Sequence, residues 1–87
     1  MKGPDWKVYM ILCSDDSIYT GVTRDVEKRF SEHLSGKGAK YFYGRKPLEV
    51  LHTEGPFNRS EAQKREVAIK KLSRSQKLKL IRAASCS

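Results

Sequence analysis

Residues 6–13, WKVYMILC, and residues 18–22, IYTGV, are two runs of β-branched and aromatic residues separated by the segment SDDS at positions 14–17. Such runs favour strands, and a cluster of serine and aspartate favours a turn. The sequence therefore predicts a β-hairpin. Its register matters because side chains alternate between the two faces of a strand. A loop that paired residue 14 with residue 17 would separate Tyr9 from Tyr19, whereas an odd-length loop or a bulge would place them in one cleft.

The segment after the hairpin predicts a helix that begins at a cap, either Thr23 or Asp25, and continues for about three turns. Arg29 and His33 lie four residues apart on it, so their side chains project together toward the sheet on which the helix packs. An arginine holds phosphate oxygens with its planar guanidinium and keeps its charge. The alternatives are a salt bridge from Arg29 to Asp25 or Glu32, and a surface imidazole for His33.

Residues 37–46 form a basic segment interleaved with three aromatic side chains. Cations suit contact with phosphates, and aromatic rings suit stacking on bases. This combination predicts nucleic-acid binding, and the alternative is a basic surface loop whose aromatic rings cover the sheet. The predicted nucleic-acid contacts are Lys37, Lys40, Arg45 and Lys46.

A third strand and two further helices are predicted beyond this segment. Pro47 opens the strand, and Gly55-Pro56 is expected to end it. Asn58 and Ser73 then begin the second and third helices. The predicted order is therefore two strands, a helix, a strand and two helices.

Glu66 lies on the second helix between Ala62 and Ile69, on what should be the apolar stripe of that helix. An unpaired carboxylate would be costly there. A hard cation such as Mg²⁺ would compensate its charge. The alternative is an ordinary ion pair with Lys70, one turn later.

Composition limits the classes of function. The 87 residues carry a formal net charge of +8, from 18 lysines and arginines against 10 aspartates and glutamates. A chain of this length supports a single domain, with an expected core at about 7–80 and a loose tail at 83–87. The positive charge favours a polyanionic partner, nucleic acid above all, because clustered cations release counterions from phosphates.

Neither a membrane span nor a disulfide is expected. The longest apolar run, at residues 8–13, is too short for a signal peptide or a bilayer-spanning helix, so the sequence predicts a soluble cytoplasmic protein. Cys13 sits in that run and Cys86 in a polar tail, which argues against a bridge between them. No cysteine and histidine spacing resembles a zinc site.

The hairpin tyrosines, the helical arginine and the distal glutamate together resemble the GIY-YIG nuclease superfamily. Its members carry a tyrosine triplet on each of two adjacent strands, then a helical arginine and a metal-binding glutamate. Here the triplets read Val8-Tyr9-Met10 and Tyr19-Thr20-Gly21. The resemblance extends from about residue 7 to residue 80. It is greatest to the small single-domain bacterial members, and it includes the N-terminal nuclease domain of the repair-incision protein UvrC.

The resemblance implies an α/β (α+β) fold, a small sandwich with a central three-stranded antiparallel sheet flanked by about three helices. It also implies a metal-dependent endonuclease that hydrolyses phosphodiester bonds in DNA, structure-directed or weakly specific, in repair or recombination, with RNA as an alternative substrate. The cofactor would be Mg²⁺ or Mn²⁺, held by the glutamate. Carried over by position, the catalytic residues are Tyr9, Tyr19, Arg29, His33 and Glu66.

One departure from the superfamily pattern leaves a second function open. The repair-incision relatives carry a lysine after the second triplet, and this chain has Val22 there, so that Arg24 or Lys28 would have to supply the charge. The alternative function is a non-catalytic nucleic-acid-binding module that keeps the nuclease fold. In either case the expected state is a monomer, and a protein partner is one possible source of specificity.

Overall fold

The computed structural model describes residues 4–85. It is a compact α+β fold in which three antiparallel strands form one sheet in the order β2-β1-β3 and three helices cover it. This architecture confirms the predicted fold class and the predicted order of elements. The elements are β1 (Trp6–Cys13), β2 (Ile18–Thr23), α1 (Val26–Leu34), a 3-10 turn (Lys40–Phe42), β3 (Pro47–Phe57), α2 (Arg59–Lys70) and α3 (Arg74–Ser85).

The hairpin closes with an odd-length loop, as a shared tyrosine cleft requires. The Cys13 N–H donates to the Ser17 carbonyl at 2.9 Å, which leaves three loop residues, and Asp16 takes the left-handed conformation with φ 70°. A three-residue loop of this kind combines a turn with a left-handed residue. Tyr9 consequently pairs with Gly21, and Tyr19 with Ile11, so both tyrosines lie on one face of the sheet.

The two faces of the sheet have separate cores. On one face, Val8 and Met10 of β1 pack against Ala62 and Ile69 of α2, with α3 completing the layer. We call this the α2–α3 face. On the other, the α1 face, the odd-numbered residues of β1, including Tyr9, pack against α1 and the 3-10 turn. This division decides which functional side chains can meet.

The helix starts follow the sequence signals. Asp25, not Thr23, caps α1 through its side chain, which accepts from the Lys28 N–H at 3.1 Å. The expected capping box of α2 is present: the Asn58 side chain accepts from the Glu61 N–H at 2.8 Å, and the Glu61 carboxylate accepts from the Asn58 N–H at 3.2 Å. Such caps satisfy N–H groups that the first helical turn leaves unpaired.

Two expectations about chain segments are corrected. Gly55-Pro56 does not end β3, which runs to Phe57 and pairs there with Trp6 after a register shift. At Gly55, with φ 129°, a Cβ would lie 2.8 Å from the Trp6 carbonyl oxygen, so the glycine permits an irregular but continuous pairing. The expected loose tail at 83–87 is helical as far as Ser85, and residues 86 and 87, including Cys86, lie outside the described residues.

Cys13 is a buried free thiol. Between residues 4 and 85, none of the helices has the length and the apolar character needed to cross a lipid bilayer.

Candidate active site

A buried phenol lies at the centre of the α1 face. Tyr9 is 1% exposed, and its hydroxyl lies 3.0 Å from His33 Nε2. The other ring nitrogen of His33, Nδ1, accepts from the Ala39 backbone N–H at 3.2 Å. In a neutral imidazole the proton is therefore on Nε2, which donates to the Tyr9 oxygen. The structure thus brings together Tyr9 and His33, two of the predicted site residues.

Burial sets the charge of this pair. Desolvation raises the pKa of Tyr9 well above its usual range, the nearby Tyr19 phenol adds to the rise, and Arg29 opposes it by a hydrogen bond and by its charge. Desolvation lowers the pKa of His33, and Arg29 lowers it further. At neutral pH, Tyr9 therefore keeps its proton and His33 is neutral.

Two glycines make room for these side chains. A Cβ at Gly21 would lie 2.6 Å from the Tyr9 hydroxyl oxygen and 3.0 Å from Tyr19 Cε2. A Cβ at Gly38 would overlap His33 Nδ1. The glycine of the second triplet thus lets the ring of Tyr9 cross β2, and Gly38 lets the following loop reach the imidazole.

Tyr19 lies in an aromatic cluster and remains partly exposed. Its ring centroid is 5.4 Å from that of His33, 5.0 Å from that of Tyr41 and 4.9 Å from that of Phe42. The Tyr41 hydroxyl donates to Ser17 Oγ at 2.8 Å, which fixes the ring at the hairpin loop. Tyr41 and Phe42 of the basic segment therefore pack against Tyr19. This packing agrees with the alternative interpretation, a basic surface loop whose aromatic rings cover the sheet.

The four predicted nucleic-acid contacts divide into two groups. Arg45 stacks over the Tyr41 ring at 4.0 Å and pairs with Asp15 at 2.9 Å, so its guanidinium holds the basic segment against the hairpin. Lys37, Lys40 and Lys46 are exposed, and none of the ion pairs in the described part of the chain involves them.

Arg29 borders a surface cleft. Its guanidinium pairs with Glu32 at 3.0 Å, which is one of the alternatives considered above, while its interaction with Tyr9 is retained. The cleft has a volume of about 370 Å³. Arg24 and Lys28 line it together with Arg29 and Val22, so the structure places two cations near the position where the relatives carry a lysine.

Glu66 lies on a different helix layer from Tyr9 and Arg29. It belongs to α2 and hence to the α2–α3 face, its side chain is 20% exposed, and its carboxylate pairs with Lys70 at 3.2 Å. Among residues 4–85, no hydrogen bond or ion pair joins Glu66 directly to Tyr9 or Arg29. Helical spacing predicted this ion pair as the alternative to a bound cation.

A cleft of about 350 Å³ joins the two faces. Tyr19 and Tyr41 line it from the α1 face, and Thr20 from the α2–α3 face. Lys70, the partner of Glu66, lines the same cleft, as does Lys77 of α3. Sequence reasoning missed this arrangement, because helical spacing does not indicate that Lys70 and Lys77 approach a tyrosine on the other side of β2.

The structure offers few side chains that could coordinate a metal ion. Residues 4–85 contain no cluster of three or more histidine, cysteine or acidic side chains able to hold an ion. Mg²⁺ commonly keeps several waters and binds through one or two carboxylates together with substrate phosphates. The single, partly shielded carboxylate of Glu66 therefore fits a cation whose other ligands are water and phosphate oxygens.

Comparison with known proteins gives a consistent result. A family model described as the GIY-YIG catalytic domain matches residues 5–79. A UPF0213 protein of Cupriavidus necator is 56% identical over 72 residues, which is 83% of this chain and 78% of the relative.

Two solution NMR structures are also similar. One, a UPF0213 protein of Bacillus halodurans, has a TM-score of 0.57 at 43% identity, covering 90% of this chain and 83% of that one. The other, a protein of E. faecalis, has a TM-score of 0.65 at 40% identity, covering 99% and 91%.

Proposed function

The chain belongs to the GIY-YIG family of nuclease domains, and on that premise we propose that it is a metal-dependent endonuclease that hydrolyses phosphodiester bonds in DNA. The observation that carries the proposal is the environment of the Tyr9 hydroxyl, which accepts from His33 and interacts with Arg29. The hydroxyl also lies so close to Gly21 that a side chain there would overlap it. A buried phenol with a histidine donor and a neighbouring guanidinium has more polar contacts than a core aromatic requires.

The two tyrosines are suited to different roles. Tyr9 is buried and keeps its proton, so it serves to orient the side chains around it, accepting from His33 Nε2 and interacting with Arg29. Tyr19 has an exposed part that lines the cleft, so it is the tyrosine that an attacking water can reach. Lys70 and Lys77 line the same cleft, so positively charged groups lie near this phenol.

Arg29 would stabilise the charge that develops on the phosphoryl oxygens. It borders a cleft and is about one-third exposed, and Glu32 holds one of its terminal nitrogens at 3.0 Å. A guanidinium held in place in this way needs little reorganisation when negative charge appears, which is the main source of electrostatic catalysis. Arg24 and Lys28 in the same cleft would contact the neighbouring phosphate.

Glu66 would hold Mg²⁺ or Mn²⁺. When bound, the metal would stabilise charge on a non-bridging phosphate oxygen and lower the pKa of a bound water. Lys70 must then give up its contact with Glu66 or share it. The choice of metal and a place in DNA repair or recombination are proposed from the resemblance to the repair-incision nuclease domain.

A non-catalytic nucleic-acid-binding module is the second candidate. The observation that favours it is that Glu66 is already neutralised by Lys70 and lies on the opposite face from Tyr9, with Val22 in place of a catalytic lysine. Such a module would keep the basic surface but would not cleave. Metal dependence separates the two candidates, because phosphate binding needs only cations.

The test is cleavage of labelled branched, flapped and linear DNA, and of RNA, with Mg²⁺ or Mn²⁺. We expect the wild type to cleave and to stop on chelation, and Glu66→Gln to lose at least a hundredfold in rate, since it removes the carboxylate that would hold the metal. Glu61→Gln is the matched control on the same helix, because glutamine preserves the capping box. Binding without cleavage by the wild type would establish the non-catalytic module, and full activity in Glu66→Gln would remove Glu66 from the site.

A further inference from the structure

The cleft that joins the two faces crosses the free edge of β2. Because β2 is an outer strand, one of its edges has no neighbouring strand. Ile18 and Thr20 point to the α2–α3 face and Tyr19 to the α1 face, yet all three line this cleft. Groups from both faces can meet only around that edge.

The hairpin loop fixes the position of α3 beside this edge. Arg74, the first residue of α3, donates from Nε to the Asp16 carbonyl at 2.9 Å and pairs with the Asp16 carboxylate at 3.0 Å. Lys77 follows Arg74 by three residues and therefore lies on the same side of the helix. This explains why Lys77, unlike most lysines of the chain, is partly buried.

The cleft has the chemistry of an anion site. Lys70 and Lys77 are its two cationic side chains. In the part of the chain that the structure describes, no ion pair involves Lys77, whereas Lys70 is bound to Glu66. Thr20 also lines the cleft, but it is only 2% exposed and its hydroxyl is buried, so the two lysines are the charged groups that a ligand can reach.

From these contacts we infer that Lys70 and Lys77 form a subsite for a backbone phosphate of the bound nucleic acid, and that the phosphate draws Lys70 away from Glu66. This inference rests on the proposed function and assigns the substrate contacts on the second face. Before nucleic acid binds, the ammonium of Lys70 forms an ion pair with the carboxylate of Glu66. After binding, Lys70 contacts the phosphate, and Glu66 becomes available to a divalent cation only when substrate is present.

The first test measures DNA affinity in EDTA, so that cleavage and metal do not contribute. A labelled duplex is titrated by fluorescence anisotropy at several salt concentrations with wild type, Lys70→Ala, Lys77→Ala and the control Lys79→Ala, an exposed lysine of α3 outside the cleft. Each cleft variant should reduce the slope of log affinity against log salt by up to about 0.9, the value for the one phosphate that the two lysines share, and Lys79→Ala should keep the wild-type slope.

The second test follows Mn²⁺ binding without nucleic acid, by the electron paramagnetic resonance signal of the free ion. Lys70→Ala should bind Mn²⁺ several-fold more tightly than wild type, Lys79→Ala should match wild type, and Lys70→Ala with Glu66→Gln should lose the gain. Equal Mn²⁺ affinity of Lys70→Ala and wild type would overturn the inference that Lys70 keeps a cation from Glu66.

The outcomes separate this inference from the proposed function. If the wild type cleaves and binds DNA while Lys70→Ala and Lys77→Ala keep its full salt slope, the phosphate subsite is wrong and the nuclease stands. If the wild type shows neither cleavage nor salt-dependent binding, both proposals fail together.

Discussion

Tyr9 and His33 show how single residues build the site. A tyrosine in the middle strand of a small sheet would ordinarily fill the core, and Tyr9 does so. The additional features are the His33 Nε2–H that points at its oxygen and the Ala39 N–H that fixes the imidazole tautomer. Spacing predicted that His33 faces the hairpin, but the loop contact that orients its ring depends on the tertiary fold.

His33 makes stability depend on pH. Its pKa is lowered in the folded state, first by burial and then by Arg29, whereas the unfolded chain protonates near its ordinary value of 6.5. Below that pH the unfolded state binds more protons, so the free energy of unfolding falls as the pH drops from about 6.5 through the folded pKa. Protonation would also place a proton on Nδ1 against the Ala39 N–H.

The measurement is urea unfolding of wild type and His33→Gln between pH 5 and 8. The difference in unfolding free energy between the two proteins should be constant above about pH 7 and shrink toward lower pH. His52 and the acidic groups are present in both proteins, so the comparison isolates His33. A difference that does not change across this range would show that His33 titrates alike in the folded and unfolded chains.

Two glycines after α1 have different roles at the scale of an element. Gly36 has φ 84°, and a Cβ there would meet nothing within 4 Å, so only its backbone conformation requires glycine. At Gly38 a Cβ would overlap the His33 ring. The first glycine ends the helix, and the second positions the loop that holds the imidazole.

Alanine at the two positions should therefore act differently. Gly36→Ala should cost about 1 kcal/mol of stability and keep cleavage, because a left-handed residue with a side chain is strained but distant from the site. Gly38→Ala should lower cleavage at least tenfold, since it displaces either the loop or His33. Unfolding curves and single-turnover cleavage of both variants check this, and wild-type cleavage by Gly38→Ala would contradict it.

At the scale of the whole molecule, the proposed catalytic residues lie on both faces of one sheet. The phenols and Arg29 belong to the α1 face, whereas Glu66 belongs to the α2–α3 face, and the cleft at the edge of β2 connects them through Lys70. A substrate that reaches both sets must pass over that edge. The exposed lysines at positions 37, 40 and 46 extend the positive surface from the α1 face.

The net charge of +8 gives the last prediction. If about four phosphates are contacted, DNA affinity should fall about a hundredfold between 50 and 200 mM salt, since each contact releases condensed counterions. Binding in EDTA at several salt concentrations measures this. A lack of salt-dependent affinity for DNA would contradict both nucleic-acid functions.

Much of the fold could be predicted because its signals are local. The hairpin follows from two apolar runs around a polar turn, and the capping box from Asn58 and Glu61 alone. The break expected at Gly55-Pro56 was wrong, because the same dipeptide that ends a strand in isolation can continue one when a neighbouring backbone approaches closely.

The sequence by itself determined the order of elements, the family and the positive charge, since these depend on neighbouring residues and on composition. Only the tertiary structure decided that Tyr9 is buried while Tyr19 is accessible, that Arg45 supports the basic segment, and that Glu66 lies across the sheet bound to Lys70. The physical reason is that these contacts depend on which face of the sheet each helix covers and on how closely loops approach it, and that balance of packing is set by residues far apart in the chain.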